Sequence, residues 1–290
     1  MLPLNGSYTY PSTGQGVTAY VLDTGITSIA DFGSRVLPGV DEVPAGPSDP
    51  AGVTTDCNGH GTFVSDEIAG TVYGVAKGVS VVPVKVLGCS SGGSLSTILA
   101  GLEWVAQNAT GPSVVNMSLA ANSVFTTIYE AIASLASQGI TTVVAAGNGV
   151  FDFITHKIVP VDACTVTPAG APDAIAVGAT DSSDTYANFS NFGPCVALSA
   201  PGVGITADTN TGSAIVMDGT SMSTPEVSGV AALTLAANPG LTPAALRACL
   251  VGEATPRQIH GLPADTANLL LYLPHNLACD NNQGQNNNHQ

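Results

Sequence analysis

The sequence contains few positive charges and no basic run. Of its 290 residues only 6 are Lys or Arg, whereas 21 are Asp or Glu, which gives a formal net charge of −15. Nucleic-acid phosphates and anionic membrane surfaces attract clusters of Lys and Arg. We therefore expect no nucleic-acid partner and no membrane attachment. The acidic composition favours a secreted protein.

Long apolar runs and targeting signals are also absent. No stretch is apolar enough to span a bilayer, and the start of the chain does not resemble a signal peptide. Hydrophobic residues make up 44% of the chain and charged residues 9%, so a large core can be buried. The polar stretch 280–290 has nothing to bury and is predicted to be a disordered tail. Residues 1–279 are predicted to form one folded domain.

Metal-ligand spacing is missing from the cysteines. No CxxC pair and no Cys/His ligand spacing occurs, so the sequence predicts no zinc site. An even number of cysteines indicates disulfides and an oxidising compartment, although fifteen pairings are formally possible. The six residues are Cys57, Cys89, Cys164, Cys195, Cys249 and Cys279.

Apolar strands alternate with helical patterns along the chain. Near-continuous apolar strands separated by helices are typical of a parallel sheet that is covered on both faces. In such sheets the functional groups gather at the carboxyl ends of the strands. The predicted strands are 16–25, 80–88, 113–119, 140–148 and 174–180, and the predicted helices begin near residue 60 or cover 94–109, 125–139, 221–237 and 241–250. The sequence therefore predicts an α/β fold with a mostly parallel central sheet.

Three residues at the edges of these elements could together perform acyl transfer. Asp23 follows a buried strand, His60 lies in the stretch CNGHGT, and Ser221 lies at a predicted helix start. A serine can attack a carbonyl carbon, a histidine can take its proton, and a buried carboxylate can orient the histidine. Alone, each has a simpler explanation, as a turn residue, a surface histidine and a helix cap. The order Asp, His, Ser in these contexts favours catalysis.

The stretches DTGI (23–26), NGHGT (58–62) and GTSMSTP (219–225) resemble the three active-site signatures of the subtilases. Two further stretches, YGVAKGVSVVPVKVLG (73–88) and STILAGLEWV (96–105), are most similar to the proteinase K branch of that family. The resemblance covers about residues 16 to 276. It implies a single-domain, three-layer α/β/α subtilisin-like fold and peptide-bond hydrolysis.

The resemblance also implies a role for several residues. Asp23 would orient His60, His60 would be the general base and then acid, and Ser221 would be the nucleophile. Asn148 would donate to the oxyanion together with the Ser221 N–H. The residues expected to contact substrate are Gly92, Gly93, Ser118, Leu119, Ala120, Ala145, Ala146 and Gly147. The resemblance implies the disulfides Cys57–Cys89 and Cys164–Cys195, with Cys249–Cys279 as the third.

Several positions differ from the family pattern. Phe63 and Glu226 stand where histidines are usual, Ser223 replaces an alanine, and Ala120 and Ala121 replace glycines on the pocket wall. Burial would raise the pKa of the Glu226 carboxyl. We expect this carboxyl to pair with a group near Phe63 or Asp66. Ala197 takes the place of a calcium-binding aspartate, so no metal is predicted and a structural calcium is doubtful.

The sequence thus predicts a secreted, extracellular, monomeric serine endopeptidase of broad specificity that prefers apolar or aromatic residues before the cleaved bond. Its expected partners are protein or peptide substrates and its own propeptide, and no cofactor is required. The alternative is an inert subtilase-like binding module, altered at Phe63, Ala120 and Glu226. An α/β-hydrolase esterase is disfavoured because that fold uses GxSxG and the order Ser, acid, His.

Overall fold

The computed structural model describes residues 7–46, 49–152 and 156–279. Its main element is a sheet of nine strands. The predicted tail, 280–290, lies outside the described residues. The helices are α1 (His60–Ala69), α2 (Leu95–Asn108), α3 (Thr126–Ser137), α4 (Thr220–Ala237) and α5 (Pro243–Glu253). The strands are β1 (Thr18–Asp23), β2 (Val40–Asp41), β3 (Ser80–Lys85), β4 (Ser113–Met117), β5 (Thr141–Ala145), β6 (Val150–Asp152), β7 (Lys157–Val159), β8 (Ala174–Thr180), β9 (Val196–Pro201), β10 (Ile205–Asp208), β11 (Ala214–Met217), β12 (Thr255–Pro256) and β13 (Leu269–Leu270).

The strand order in the sheet is β12-β13-β9-β8-β5-β4-β1-β3-β2, and the pairings are parallel except for β12 with β13. The pairs β6–β7 and β10–β11 form separate two-stranded ribbons. All residues of β4, β5 and β8 are buried, as expected for strands covered on both faces. The predicted α/β fold with a mostly parallel sheet is confirmed.

Two apolar cores lie on opposite faces of the sheet. Successive side chains of β1 alternate between them, because Ala19 and Val21 join one core and Tyr20 and Leu22 join the other. The first core also contains the buried apolar residues of α1, α4 and α5, and the second contains those of α2 and α3. The chain therefore has three layers, as predicted.

Two details differ from the sequence-based expectations. The stretch around Ala197 forms strand β9, which is not among the predicted strands. Leu95 falls on the apolar face of the helix predicted over 94–109, where the spacing predicts burial, but it is 38% exposed. The physical reason is that Leu95 is the first residue of α2 and lines an open cleft.

Three disulfides cross-link the described chain. Cys57 is bonded to Cys89, and Cys164 is bonded to Cys195. A third bond joins Cys249 of α5 to Cys279 near the end of the described chain. Each bond closes a loop of about thirty residues, which in the chain-entropy model contributes roughly 3–4 kcal/mol.

The parallel strands bring several chain segments to one edge. The strands β1, β4 and β5 are neighbours and end at Asp23, Met117 and Ala145. Because parallel strands share a direction, the residues that follow them lie at the same carboxyl edge of the sheet. No described helix is long and apolar enough to cross a membrane.

Candidate active site

The carboxyl end of β1 holds a buried carboxylate against a histidine ring. Asp23 is fully buried, and its Oδ1 accepts a hydrogen bond from the Thr24 N–H at 2.7 Å. His60 Nδ1 lies 2.8 Å from Asp23 Oδ1 and 3.0 Å from Oδ2. The carboxylate therefore favours a proton on Nδ1, which leaves Nε2 free to accept one.

A second carboxylate, Asp56, fixes the start of the helix that carries His60. Its Oδ1 accepts hydrogen bonds from the Thr24 hydroxyl at 2.8 Å and from the N–H groups of Asn58 and Gly59 at 2.9 and 2.8 Å. Its Oδ2 accepts from the Thr62 N–H at 2.9 Å and the Thr62 hydroxyl at 2.7 Å. Asp56 thus accepts hydrogen bonds from N–H groups at the start of α1 that have no partner within the helix.

Both carboxylates act on the His60 ring. Burial lowers the pKa of His60, but the charge of Asp23, its hydrogen bond to the ring and the charge of Asp56 together raise the pKa above its usual 6.5. A neighbouring negative charge stabilises the imidazolium form. The site therefore favours a histidine that can hold a proton taken from another group.

A buried lysine supports the same corner of the sheet. Lys85, at the end of β3, is 1% exposed. Its Nζ donates to the carbonyls of Thr24 at 2.9 Å and Leu87 at 3.0 Å and lies 3.3 Å from Asp49 Oδ1. The charge is paired and hydrogen-bonded, as a buried ammonium requires. It holds the turn that follows Asp23.

The start of α4 is connected to the end of β5 through Asn148. The Asn148 Oδ1 accepts from the N–H and the hydroxyl of Thr220, both at 2.8 Å. The side-chain amide Nδ2 makes no hydrogen bond to any described residue. Ser221 is the second residue of α4, where backbone N–H groups point out of the helix without a helical partner.

A small space beside Gly219 is bounded by two hydrogen-bond donors. Gly219 has a φ of 153° and no side chain. A Cβ placed on it would lie 3.3 Å from Asn148 Nδ2, 3.6 Å from Ser221 N and 3.5 Å from Met222 Sδ. Glycine therefore leaves room for an atom that both N–H groups could reach. The first turn of α4 also favours negative charge there.

His60, Asn148 and Ser221 line one cleft of about 570 Å³. Of the eight residues predicted to contact substrate, six line it: Gly93, Ser118, Leu119, Ala120, Ala145 and Gly147. Leu95 and Ile98 of α2 also line it, and neither is among the predicted contact residues. The cleft is therefore formed by the ends of several strands and one flank of α2.

Two predicted contact residues lie elsewhere. Ala146 is fully buried in the core, and its carbonyl accepts from Asn191 Nδ2 at 2.9 Å. Strand alternation points its side chain away from the neighbouring cleft residues. Gly92 lies in an exposed turn in which its carbonyl accepts from the Gly88 N–H at 2.8 Å. These two residues do not line the cleft.

The Ser221 hydroxyl donates to the Ser118 carbonyl at 3.1 Å. Among the described residues, no hydrogen bond joins the side chains of Ser221 and His60. The structure therefore brings Asp23 and His60 into direct contact and places Ser221 in the same cleft. The sequence analysis did not identify five residues that support or line the site: Leu95, Ile98, Asp56, Lys85 and Thr220. The Asp-x-Asn-Gly turn signal before His60 could have indicated Asp56.

Two places in the structure bear on metal binding. Ala197 offers no side-chain oxygen where the family resemblance implied a calcium ligand. Within the described residues, the one group of three ligand-type side chains in mutual reach is Asp49 with Cys57 and Cys89. Those two sulfurs are bonded to each other and are therefore not available as thiolate ligands.

The model of the subtilase family, Peptidase_S8, matches residues 14–286. The chain belongs to the subtilase family. An extracellular serine proteinase of Thermus sp. (strain Rt41A) is 46% identical over 94% of this chain and 63% of its own length. Proteinase T of Parengyodontium album is 39% identical over 93% of this chain and 88% of its own length. The crystal structure of a cold-adapted subtilisin-like serine proteinase superposes with a TM-score of 0.87 at 43% identity, covering 94% of each chain.

The predicted subtilase family and proteinase K branch are confirmed. The chain spans less than two thirds of the length of the Thermus relative. The positions that differ from the family pattern lie in different surroundings. Phe63 is fully buried in the core beside α4, whereas Ala120 is exposed at the cleft.

Glu226 of α4 lies close to a buried carboxyl of α1. Glu67 is 1% exposed, and neither of its side-chain oxygens has a hydrogen-bond partner among the described residues. Burial raises the pKa of Glu226 to about 7, and burial followed by the charges of Glu226 and Asp66 raises that of Glu67. The direction is the one expected for Glu226. The acid whose pKa it affects, Glu67, adjoins Asp66 in the sequence, and a pairing of Glu226 stays a prediction.

The asparagine variant D56N is expected to destabilise the subtilase fold by roughly 2–4 kcal/mol, because an amide in place of one oxygen leaves buried N–H donors without an acceptor. It should also lower the pKa of His60, since the charge of Asp56 raises it. Denaturant unfolding in an S221A background would measure the first effect. The control D181N, in an exposed turn where Asp181 accepts from Ser183 and Thr185, should cost under about 1 kcal/mol. Equal losses would contradict this role.

Stability should depend on the charge of Glu226. Its folded-state pKa of about 7 lies above the usual 4.5, so the folded protein binds more protons between these pH values. The free energy of unfolding should therefore fall as the pH rises through this window. In E226Q we expect that fall to be smaller by on the order of 1–2 kcal/mol. Unfolding curves at pH 4.5 and 8 would measure it, with the exposed Glu130 changed to Gln as the control. An unchanged pH dependence in E226Q would refute the burial of this charge.

Proposed function

We propose that this subtilase is a secreted serine endopeptidase that hydrolyses peptide bonds with Asp23, His60 and Ser221. The observation that carries the proposal is the buried Asp23–His60 pair, 2.8 Å apart, in one cleft with Ser221 and two free N–H donors. Residues 1–279 would be the peptidase domain. The word "extracellular" in the name of the Thermus relative and the three disulfides support secretion.

Catalysis would begin when the Ser221 hydroxyl leaves the Ser118 carbonyl and turns towards His60 Nε2. Such a change is a rotation between staggered side-chain conformers, and catalytic hydrogen bonds often tighten only with substrate bound. Ser221 Oγ then attacks the carbonyl carbon while its proton moves to Nε2. The imidazolium formed in this step is stabilised by Asp23.

The negative charge on the carbonyl oxygen would lie in the space beside Gly219. There it could accept hydrogen bonds from Asn148 Nδ2 and the Ser221 N–H. His60 then gives its proton to the leaving amine, which forms an acyl-serine and the first product. Water attacks the acyl group with His60 again acting as base, which releases the second product and restores Ser221. These steps need no cofactor.

Substrate would bind in an extended conformation along the cleft. Backbone hydrogen bonds to an edge give affinity with little dependence on sequence, which supports broad specificity. The lining of the cleft is largely apolar and includes Leu95, Ile98 and Leu119. We propose that apolar or aromatic side chains of the substrate are preferred there.

The direct test is cleavage of casein by the wild type and by S221A, together with labelling by a serine-directed organophosphate. Cleavage by the wild type alone and a label mapped to Ser221 would support the proposal. Intact casein and an unlabelled Ser221 would show the alternative, an inert binding module. Cleavage by S221A at the wild-type rate would show that another nucleophile acts.

Replacing Asn148 tests the oxyanion donor. We expect N148A to lower kcat by about 10²–10³-fold with little change in KM, the size of loss known for this donor in subtilisin. In the control T220V, Asn148 keeps its bond from the Thr220 N–H, so a loss of no more than about 10-fold is expected. Steady-state kinetics on a peptide amide would compare them. A normal kcat in N148A would exclude Asn148 as a donor.

The pH profile tests His60 as the base. Because its pKa is raised above 6.5 and only the neutral ring accepts a proton, kcat/KM should increase with pH through a midpoint above 6.5. D56N should move this midpoint to lower pH, as one negative charge near the ring is lost. The same midpoint in both proteins would contradict the electrostatic contribution of Asp56.

A further inference from the structure

Pro225 interrupts the hydrogen-bond ladder of α4 at the residue that carries the proposed nucleophile. Proline has no N–H, so the carbonyl of Ser221, four residues earlier, receives no helical hydrogen bond from it. Instead, the Ser118 hydroxyl donates to the Ser221 carbonyl at 2.8 Å. The Ser221 hydroxyl donates in return to the Ser118 carbonyl. The first turn of α4 is thus connected to the segment after β4 by two reciprocal bonds.

Two more buried side chains extend this connection away from the cleft. Asn116 Nδ2 donates to the Ser118 Oγ at 3.0 Å. The hydroxyl of Ser228 donates to Asn116 Oδ1 at 2.8 Å. The donors all point in one direction, from Ser228 through Asn116 and Ser118 to the Ser221 carbonyl. Hydrogen bonds in such a chain polarise one another in a low-dielectric interior.

The position of Asn116 argues against a role in packing alone. It lies fully buried in β4 between Val115 and Met117, and a buried amide costs free energy unless its polar atoms are hydrogen-bonded. Ser228 is also fully buried and is two turns along α4 from Ser221. Neither residue lines the cleft, so neither would touch substrate.

We propose that Asn116 and Ser228 are positioning residues for Ser221. Through the Ser118 hydroxyl they hold the carbonyl that Pro225 leaves without a helical partner, and thereby set the position of the nucleophile against the cleft wall. This inference rests on the proposed peptidase function. A displacement of about 1 Å in a reacting group can cost up to about 10²-fold in rate, so this support should affect kcat.

The mildest test is S228A, which removes one hydroxyl and leaves Asn116 and Ser118 in place. We expect kcat for a peptide amide to fall about 3-fold, with KM unchanged, and the rate of organophosphate labelling at Ser221 to fall in parallel. The matched control is T234V. Thr234 is buried in the same helix, and its hydroxyl donates to the Val230 carbonyl at 2.8 Å, so it loses a similar bond far from Ser221. We expect T234V to lower the melting temperature but not kcat.

A double-mutant cycle tests the route through Ser118. We expect N116A to lower kcat about 10-fold in the wild type and to have little further effect in the S118A background, because its link to Ser221 is already broken. Equal effects of N116A in both backgrounds would overturn the proposed route. If N116A does not fold, the S228A and T234V comparison decides alone.

The possible results separate this inference from the proposed function. A wild-type protein without peptidase activity or Ser221 labelling would remove the function itself. An active wild type with unchanged kcat in S228A, or with equal kcat losses in S228A and T234V, would overturn only the positioning role. A selective loss of kcat and labelling rate in S228A supports it.

Discussion

The proposed active site depends on the burial of two carboxylates, Asp23 and Asp56, near the carboxyl end of β1. A buried negative charge is stable only where hydrogen-bond donors surround it, and here those donors come from the turn after β1 and from the first residues of α1. Satisfying the carboxylates therefore fixes the conformation of both segments at once. The His60 ring is thereby held against Asp23, and its raised pKa reflects the charges of both carboxylates.

A second set of hydrogen bonds fixes the position of Ser221, the proposed nucleophile, as the carboxylates fix that of His60. Asn148 binds the first residue of α4 from the end of β5, and Ser118 binds the second from the end of β4. Because β4 and β5 are adjacent parallel strands, one helix start is held from two neighbouring points. The helix itself is almost wholly buried, so small displacements of this turn would be resisted by packing along its length. The histidine and the serine are thus supported by different elements that meet at one sheet edge.

The layer behind the cleft carries the largest departure from the usual rules of burial. Glu67 of α1 is buried, and the charges of Glu226 in α4 and of Asp66 add to burial in raising its pKa. These two helices also carry His60 and Ser221. Charged acids in this place would be both desolvated and mutually repelling, so the fold favours their protonated forms. The stability of the layer that contains α1 and α4 is therefore coupled to pH by groups that take no part in the proposed reaction.

Local patterns in the sequence determined the main elements, because apolar runs and turn residues act over a few positions. They indicated the parallel sheet, the principal helices and the residue types at Asp23, His60 and Ser221, and the subtilase resemblance assigned Asn148. Tertiary structure alone decided which side chains meet. It placed Ala146 in the core and Leu95 at the cleft, gave Asp56 its five donors, and connected Asn116 to Ser228, 112 residues away along the chain. Such contacts depend on how separate elements pack in three dimensions, and no local pattern specifies that.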